Sequence, residues 1–488
     1  MKLKELLSEV RVLECTAALE TEIRDISFDS RTTQPGDLFV AVCGYESDGH
    51  RFIGMATEKG AAAVLCQRKP ETDVPYILVA DSRLALAQVS CAYFGYPARE
   101  LRMIGVTGTN GKTTTTTLIK HVLEQARGAK VGLIGTNANL IGDETLHTEH
   151  TTPDSYELQK LLRAMVDAGC TYAVMEVSSH SLVLHRVAGI RFAVGIFTNL
   201  SQDHLDFHKT MEAYAEAKAL LFSQCDQGVV NLDDPWAQVM LDRAQCPMVT
   251  YSAKSNHADL VAKDIRLSAS GVRFVAMTGD SLERMKLGIP GMFSVYNALS
   301  VIACALALGV TLPECAAALA TSKGVKGRAE VVETDGDYTI LIDYAVTPDA
   351  IDNILTTVRE FTPGRLVILF GCGGDRDRTK RPIMGRLAAE LADVVIATSD
   401  NPRTEDPAFI LSQVEEGVEE AIGTKHHELI VDRRQAIYRA VEMAEKDDIV
   451  VILGKGHENY QILKDKTIHF DDKEEARAAV AAKLAEKN

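Results

Sequence analysis

Leu101-Arg102-Met103-Ile104-Gly105-Val106-Thr107-Gly108-Thr109-Asn110-Gly111-Lys112-Thr113-Thr114 is the stretch on which the reading of the whole chain turns. An apolar run leads into a glycine-rich turn and then into a segment that predicts a helix from near Lys112. A turn of this kind bares consecutive backbone N–H groups, and the helix start adds four unpaired donors and the positive end of its dipole. Together they predict a socket for nucleotide phosphates, with Lys112 reaching the terminal phosphates and the Thr113 hydroxyl ligating magnesium. The full pattern G-x-x-x-x-G-K-[ST] asks for glycine at 106, where this chain has Val106 between Gly105 and Gly108. The bland alternative is a glycine-rich turn with an incidental lysine. Lys-Thr directly after glycine, at a strand-to-helix junction, disfavours it.

Length and composition bound the rest. At 488 residues the chain predicts three domains of ordinary size, and 46% apolar residues suffice for substantial cores. The net charge of -16, from 52 basic and 68 acidic residues, argues against a nucleic-acid binder, which wants a basic face. It leaves anionic substrates open, because a pocket on an acidic protein can be locally positive. Ten cysteines are scattered, with no CxxC pair. Many stand in apolar runs, such as Cys43, Cys91, Cys304 and Cys372, and predict buried free thiols rather than disulfides or a zinc site. The N-terminus lacks the apolar core of a signal peptide, and no run approaches the ~20 residues of a membrane span. A cytoplasmic location is expected.

Along the chain, residues 1–98 predict a small α/β domain with strands near Ile23–Phe28, Leu38–Val42, Ala61–Leu65 and Tyr76–Val79, and Gly95-Tyr96-Pro97-Ala98-Arg99 reads as a hinge. Residues 99–325 carry the phosphate socket. Tyr172-Ala173-Val174-Met175-Glu176-Val177 predicts a buried strand, and Glu176 at its carboxyl end stands where a magnesium ligand belongs in a phosphate-binding sheet; an incidental strand-end charge is the alternative. After a second strand at Ala193–Phe197 come Asp203 and His204, both metal-capable. Lys218, in Ala215-Glu216-Ala217-Lys218-Ala219, reads from composition as a solvated helix lysine. Ile289 to Asn297 leads into an apolar helix at 298–308. Residues 326–488 alternate strand and helix, and their strands lack a polar face, which predicts a parallel sheet buried on both sides and a Rossmann-like domain without G-x-G-x-x-G. Gly371 to Arg378, Asp400-Asn401-Pro402-Arg403 and Gly454-Lys455-Gly456-His457-Glu458 each follow a strand, where ligands collect.

Five motifs stand in one order: Gly108 to Thr114, Glu176-Val177-Ser178-Ser179-His180, Thr198-Asn199-Leu200-x-x-Asp203-His204-Leu205-Asp206, Asp343-Tyr344-Ala345 with Thr347-Pro348-Asp349, and Asp400-Asn401-Pro402-Arg403. This combination resembles the Mur ligases, ATP-dependent amide-forming enzymes of peptidoglycan precursor synthesis, and covers essentially the whole chain. The last motifs point to the members that add the third residue of the stem peptide. The resemblance implies that ATP phosphorylates the D-glutamate carboxylate of UDP-N-acetylmuramoyl-L-alanyl-D-glutamate, and that an amine then opens the acyl phosphate. It implies a UDP-binding first domain, an ATP-binding second and an amino-acid-binding third. Gly108, Thr109, Asn110, Gly111, Lys112, Thr113 and Thr114 would hold ATP, with Asn297, Arg328 and Asp343 around the nucleotide. Thr113, Glu176 and His204 match magnesium ligands, two ions being expected. Lys218 matches the lysine carried as a carbamate formed with CO2, which reverses its compositional reading. Such a reaction needs a neutral amine, so a depressed pKa is expected there. Ser30, Tyr45, Glu46 and Ser47 fall where the family holds uridine. His150, Thr151, Thr152, Ser178, Leu184 and Arg186 fall around the sugar-peptide and its pyrophosphate. Arg376, Asp400, Asn401, Pro402, Arg403, Gly454 and Glu458 match the acceptor pocket.

Asp-Asn-Pro-Arg is the form that the resemblance associates with meso-2,6-diaminopimelate. That acceptor carries a second carboxylate, which an arginine fork binds through two charged hydrogen bonds. An L-lysine-adding variant is the near alternative. A folylpolyglutamate-type synthetase shares the P-loop but lacks the acceptor motifs. A catalytically silent nucleotide-binding regulator is the alternative of a different class. Departures from the family are Val346, where histidine is usual after Asp-Tyr-Ala, Leu184 for a glutamine, His150 for an asparagine and Lys326 for a proline. A monomer without a nucleic-acid partner or membrane span is expected.

Overall fold

The structure is a computed structural model that describes residues 1–44, 47–146, 148 and 150–487. It divides into two compact units, residues 1–260 with 300–311 and residues 261–299 with 312–488. Tyr45 and Glu46, two of the predicted uridine contacts, lie outside the described residues.

The first unit holds two sheets. A five-stranded sheet has the order Val12–Cys15, Tyr76–Val79, Ala63–Cys66, Leu38–Val40, Ile26–Ser27, parallel except for its first strand. Helix Ser82–Tyr93 packs near it, capped by Asp81, whose carboxylate accepts from the N–H groups of Arg83 and Leu84. The second sheet is centred on Arg102–Thr107, a strand buried from Met103 onward, flanked by Tyr172–Glu176 and Phe192–Phe197. All three run parallel, with Glu176 opposite Val106 and Phe197 opposite Thr107. Strands with no polar face can sit only where both faces are covered. Register does the functional work here, because it sets Glu176, the turn after Thr107 and Thr198 side by side at one rim of the sheet.

In the second unit an antiparallel meander, Leu260–Ser268, Gly271–Met277 and Leu282–Leu287, follows hairpin pairing. The chain-order reading missed it, although its strands alternate buried and exposed residues. Helix Met292–Ala307 begins earlier than expected and includes Asn297, which therefore sits on a helix and not in the loop ahead of it. A six-stranded sheet follows, in the order Glu330–Val332, Thr339–Asp343, Ile449–Leu453, Leu366–Cys372, Val394–Ser399, His426–Ile430. Only the first of these pairs antiparallel. Its parallel pairing matches the expected sheet buried on both sides, whereas its order, with Ile449–Leu453 between Thr339–Asp343 and Leu366–Cys372, differs from that of dinucleotide-binding sheets; the carboxyl ends carry Asp343, Gly373, Asp400 and Gly454. A short hairpin, Tyr460–Ile462 with Thr467–His469, closes over the Asp400 loop.

All ten cysteines are free thiols. Cys91, Cys304 and Cys372 are buried as expected, whereas Cys43 is half-buried and Cys15 exposed. Among the described residues no helix is long and apolar enough to cross a membrane.

Candidate active site

The phosphate-binding turn joins Arg102–Thr107 to helix Lys112–Arg127, with Gly111 as its left-handed N-cap. Gly108 has φ +147°, and a Cβ there would lie 1.9 Å from Thr198 Oγ1, so glycine is required. The turn is less bare than its sequence predicts. The Thr109 N–H donates to the Asn199 carbonyl at 2.9 Å and the Asn110 N–H to Asn199 Oδ1 at 2.9 Å. Thr198 Oγ1 and Asn199 Nδ2 both donate to the Asn110 carbonyl, at 2.7 and 3.1 Å. Thr198 and Asn199 thus brace the turn, a role that sequence reasoning missed because the bonded groups are about ninety residues apart. Asn199→Ala removes two hydrogen bonds of the turn, from the Asn110 N–H to Asn199 Oδ1 and from Asn199 Nδ2 to the Asn110 carbonyl, which keeps Thr198 Oγ1, a cost of about 1–2 kcal/mol together. The expected result is a KM for ATP raised roughly tenfold, checked by nucleotide titration of initial rates.

Two lysines converge on the same turn. Lys112 Nζ donates to the carbonyls of Gly108 and Thr109 at 2.9 and 2.8 Å, and Lys218 Nζ donates to the Gly108 carbonyl at 2.8 Å. Lys218 is 1% exposed. Its Nζ lies 4.5 Å over the ring of Tyr214, one helical turn away. The Tyr214 hydroxyl lies 3.3 Å from Thr109 Oγ1, and its ring stacks on His208 and meets His204 edge-on. Burial pushes the Lys218 amine well below the usual lysine range, and the Lys112 ammonium adds to that, with Asp203 opposing. The compositional picture of a solvated lysine is therefore wrong, and the neutral amine expected for carbamate formation is the form that this environment favours.

Glu176 is buried at its strand end. Its carboxylate accepts from the Thr136 N–H at 2.9 Å and from Thr136 Oγ1 at 3.0 Å. His204 has φ +53° and a half-exposed side chain. Burial lowers its pKa, Asp203 opposes, and Lys112 and Lys218 add to the lowering, so the ring keeps a lone pair for a metal. Thr113 stands in the first turn of the helix. The Glu176 carboxylate, the Thr113 hydroxyl and the oxygens that a carbamate would add to Lys218 are hard donors of the kind magnesium takes, and the His204 imidazole is the softer member of the set.

The predicted sugar-peptide residues form a connected network behind Glu176. Thr151 Oγ1 is 3.0 Å from Thr136 Oγ1. Thr152 Oγ1 donates to the Glu176 carbonyl at 2.8 Å and accepts from the Ser178 N–H at 3.1 Å. Arg186 donates to the Thr152 carbonyl at 3.0 Å and pairs with Asp154 at 2.8 Å. A cavity of about 670 Å³ is lined by Ser30, Ser47, Leu184 and Arg186, with Phe28 and Met55. Ser30, Ser47, Leu184 and Arg186 are thereby brought together, whereas His150 is exposed on its loop and outside that lining.

In the second unit, the Asp400–Arg403 loop leaves Val394–Ser399. Asp400 Oδ2 is buried without a hydrogen-bond partner, and a Cβ on Gly454 (φ +114°) would lie 2.5 Å from it. Asn401 Nδ2 donates to Glu458 Oε2 at 2.9 Å. Arg403 has φ +52° and donates through one nitrogen to the carbonyls of Gly374 and Asn401, at 2.9 and 3.4 Å. Pro402 is buried, and Arg376 is exposed, donating to the Asp375 carbonyl at 3.2 Å. Burial and Asp400 raise the Glu458 pKa, opposed by Lys455 and the Asn401 hydrogen bond. Arg328 lies 5.2 Å over the Tyr344 ring, its Nε buried without a partner. Asp343 accepts from the Ala329 N–H at 2.8 Å, its pKa raised by burial and lowered by Arg328. Val346, the departure from the usual histidine, accepts from Lys380 through its carbonyl at 2.9 Å.

A P-loop on a central parallel sheet, and a second parallel sheet bearing polar loops on its carboxyl rim, define a phosphate-binding α/β protein. Three family models match the chain: "Mur ligase family, catalytic domain" over residues 22–93, "Mur ligase middle domain" over 106–305 and "Mur ligase, glutamate ligase domain" over 327–456. The chain belongs to the Mur ligase family. A relative from Clostridium tetani is 47% identical over 97% of this chain and 98% of its own length. One from Caldanaerobacter subterraneus is 45% identical over 99% of both. Each is named UDP-N-acetylmuramoyl-L-alanyl-D-glutamate--2,6-diaminopimelate ligase. A solved structure of a ligase of that name is 35% identical, with TM-score 0.74 over 99% of each chain, and the three-domain α/β fold is the one this chain adopts. MurF from Thermotoga maritima, solved in complex with ADP, is 21% identical with TM-score 0.61 over 96% of this chain and 100% of its own, and shares the fold.

Proposed function

We propose that this chain is an ATP-dependent ligase that joins meso-2,6-diaminopimelate to UDP-N-acetylmuramoyl-L-alanyl-D-glutamate in peptidoglycan precursor synthesis. One observation carries the proposal: relatives 43–48% identical across nearly the whole chain are named for this reaction. The buried Lys218 beside the phosphate turn and the Asp400–Arg403 loop beside Glu458 supply fitting chemistry.

In this reading the first domain, residues 1–98, binds the UDP moiety. Residues 99–325 bind ATP, and residues 326–488 bind the amino acid. The turn from Gly108 to Thr114 holds the triphosphate, and Lys112 exchanges its two carbonyl partners for terminal phosphate oxygens. Thr113, Glu176, His204 and carbamylated Lys218 would hold magnesium, whose contribution when bound is to neutralise charge on the phosphates. Asn297, Arg328 and Asp343 are assigned to the nucleotide by family position. Ser30, Tyr45, Glu46 and Ser47 are assigned to uridine, and His150, Thr151, Thr152, Ser178, Leu184 and Arg186 to the sugar-peptide and pyrophosphate. The D-glutamate carboxylate takes the γ-phosphoryl group of ATP and ADP departs. The acceptor amine, freed of its proton, then adds to the acyl carbon and phosphate leaves. Positioning and charge stabilisation carry most of this rate enhancement. Arg376, Asp400, Asn401, Pro402, Arg403, Gly454 and Glu458 receive the acceptor.

The test offers meso-diaminopimelate, L-lysine and L-ornithine side by side with ATP and the UDP-dipeptide, following phosphate release and product mass. Turnover that depends on both substrates and is fastest with diaminopimelate is expected. Preferential use of lysine overturns the acceptor assignment, and absence of substrate-dependent turnover favours a silent nucleotide-binding regulator.

A further inference from the structure

We propose that Lys455 is a positioning residue for the acceptor amino acid: its buried side chain clamps Asn401 and Glu458 in the orientation that receives the acceptor. The inference rests on the acceptor-pocket reading above and extends it to a residue outside the assigned set.

Lys455 follows Ile449–Leu453, and its side chain is 0% exposed. An ammonium has three donors and no acceptor. Here it meets three oxygens: Asn401 Oδ1 at 3.0 Å, the Tyr460 carbonyl at 2.6 Å and Glu458 Oε2 at 3.6 Å. Asn401 Oδ1 also accepts from the Ile462 N–H at 2.9 Å. With two donors on its oxygen, the amide can turn only its nitrogen to Glu458, and it does so at 2.9 Å. Lys455 thus sets the amide's direction together with the Ile462 N–H, and it alone of the two also faces the carboxylate that the amide holds. The hairpin below is tied to the same loop, through Gln461 Nε2 to the Asp400 carbonyl at 2.7 Å and the Arg403 N–H to the Ile462 carbonyl at 3.1 Å.

Charge makes the position consequential. Glu458 is faced by Asp400, Asn401 and Arg403 from one loop, by Tyr344 from a second, and by Tyr460 from the hairpin, with Arg433 and Asp472 beneath. Arg433 is itself closed into a buried pair with Asp472, at 2.8 and 2.7 Å. Lys455 is therefore the larger of two cations, with Arg403, that offset Asp400 at Glu458. Burial and Asp400 already push the Glu458 pKa upward, and Lys455 pulls it back. Its removal raises that pKa further, so the carboxylate is lost at a higher pH.

Lys455→Met is expected to raise the KM for diaminopimelate about ten- to a hundredfold, with the KM for ATP and for the UDP-dipeptide within about twofold. The acid limb of kcat/KM for diaminopimelate should move to higher pH, a change that general loosening of the fold does not produce. An unchanged KM for diaminopimelate, or equal rises for all three substrates, overturns the proposal. Arg403→Ala, assayed in parallel, separates the two readings. If it leaves the diaminopimelate KM unchanged, the acceptor pocket itself is misassigned; if it raises that KM while Lys455→Met does not, only the role of Lys455 fails. Should Lys455→Met not fold, the double variant Lys455→Met/Glu458→Gln removes both charges together. It is expected to raise the KM for diaminopimelate beyond that of Glu458→Gln alone, through the released Asn401 amide, with the KM for ATP unchanged; no further rise, or an equal rise for ATP, overturns the proposal.

Discussion

Lys218→Ala is expected to reduce ligation to background, at least about a thousandfold below the native rate, in the phosphate-release assay. The side chain is enclosed by the Gly108 carbonyl, the Tyr214 ring and the Lys112 ammonium. Alanine leaves a gap where the carbamate oxygens are needed and gives CO2 nothing to add to. Bicarbonate should therefore restore nothing, whereas a short carboxylate such as acetate, small enough to enter that gap, should restore a measurable fraction. Full activity in the variant would end the carbamate reading. Intact binding of the UDP-dipeptide, measured on the same preparation, would locate the loss in the chemical step.

Arg403→Ala is the second large effect, and it is selective. Leaving the second carboxylate of diaminopimelate without its fork costs about 2–5 kcal/mol, a factor of roughly thirty to a few thousand. The structure places the expectation toward the lower end, because one guanidinium nitrogen already donates to the Gly374 and Asn401 carbonyls. Arg403 has φ +52°, a conformation that alanine finds as awkward as arginine does, so the substitution isolates the fork from the backbone. The kcat/KM for diaminopimelate should fall about a hundredfold and that for L-lysine by less than about threefold. Equal losses for the two acceptors would remove the specificity argument.

Much of this arrangement is legible in the chain. The phosphate turn, Glu176 at a strand end and the parallel C-terminal sheet follow from apolar runs, glycines and helix starts, which are local signals. What escaped is non-local. Lys218 sits among alanines and a glutamate and reads as solvated; only the folded chain brings Tyr214 and the Gly108 carbonyl around it. Asn199 looks like one residue of a loop motif, yet its amide is spent on Asn110. In the Leu260–Leu287 meander charged residues interrupt the apolar runs, and only their alternation marks strands exposed on one face. The Asp400–Arg403 loop is legible as polar and strand-following, whereas the buried ammonium beside its asparagine comes from a loop about fifty residues on and shows only in the fold.

The residues discussed here crowd the carboxyl rims of the two parallel sheets, and that leaves the opposite rims for handling the protein. Gly128, Gly169 and Gly423 each lie in an exposed connection leading into the amino end of a strand; their own φ angles of +59°, +80° and +58° favour glycine, so an attachment belongs on a neighbouring exposed residue. Reporter dyes, affinity peptides or surface tethers attached at these connections stand away from the chemistry, so the enzyme can be labelled and immobilised while it turns over.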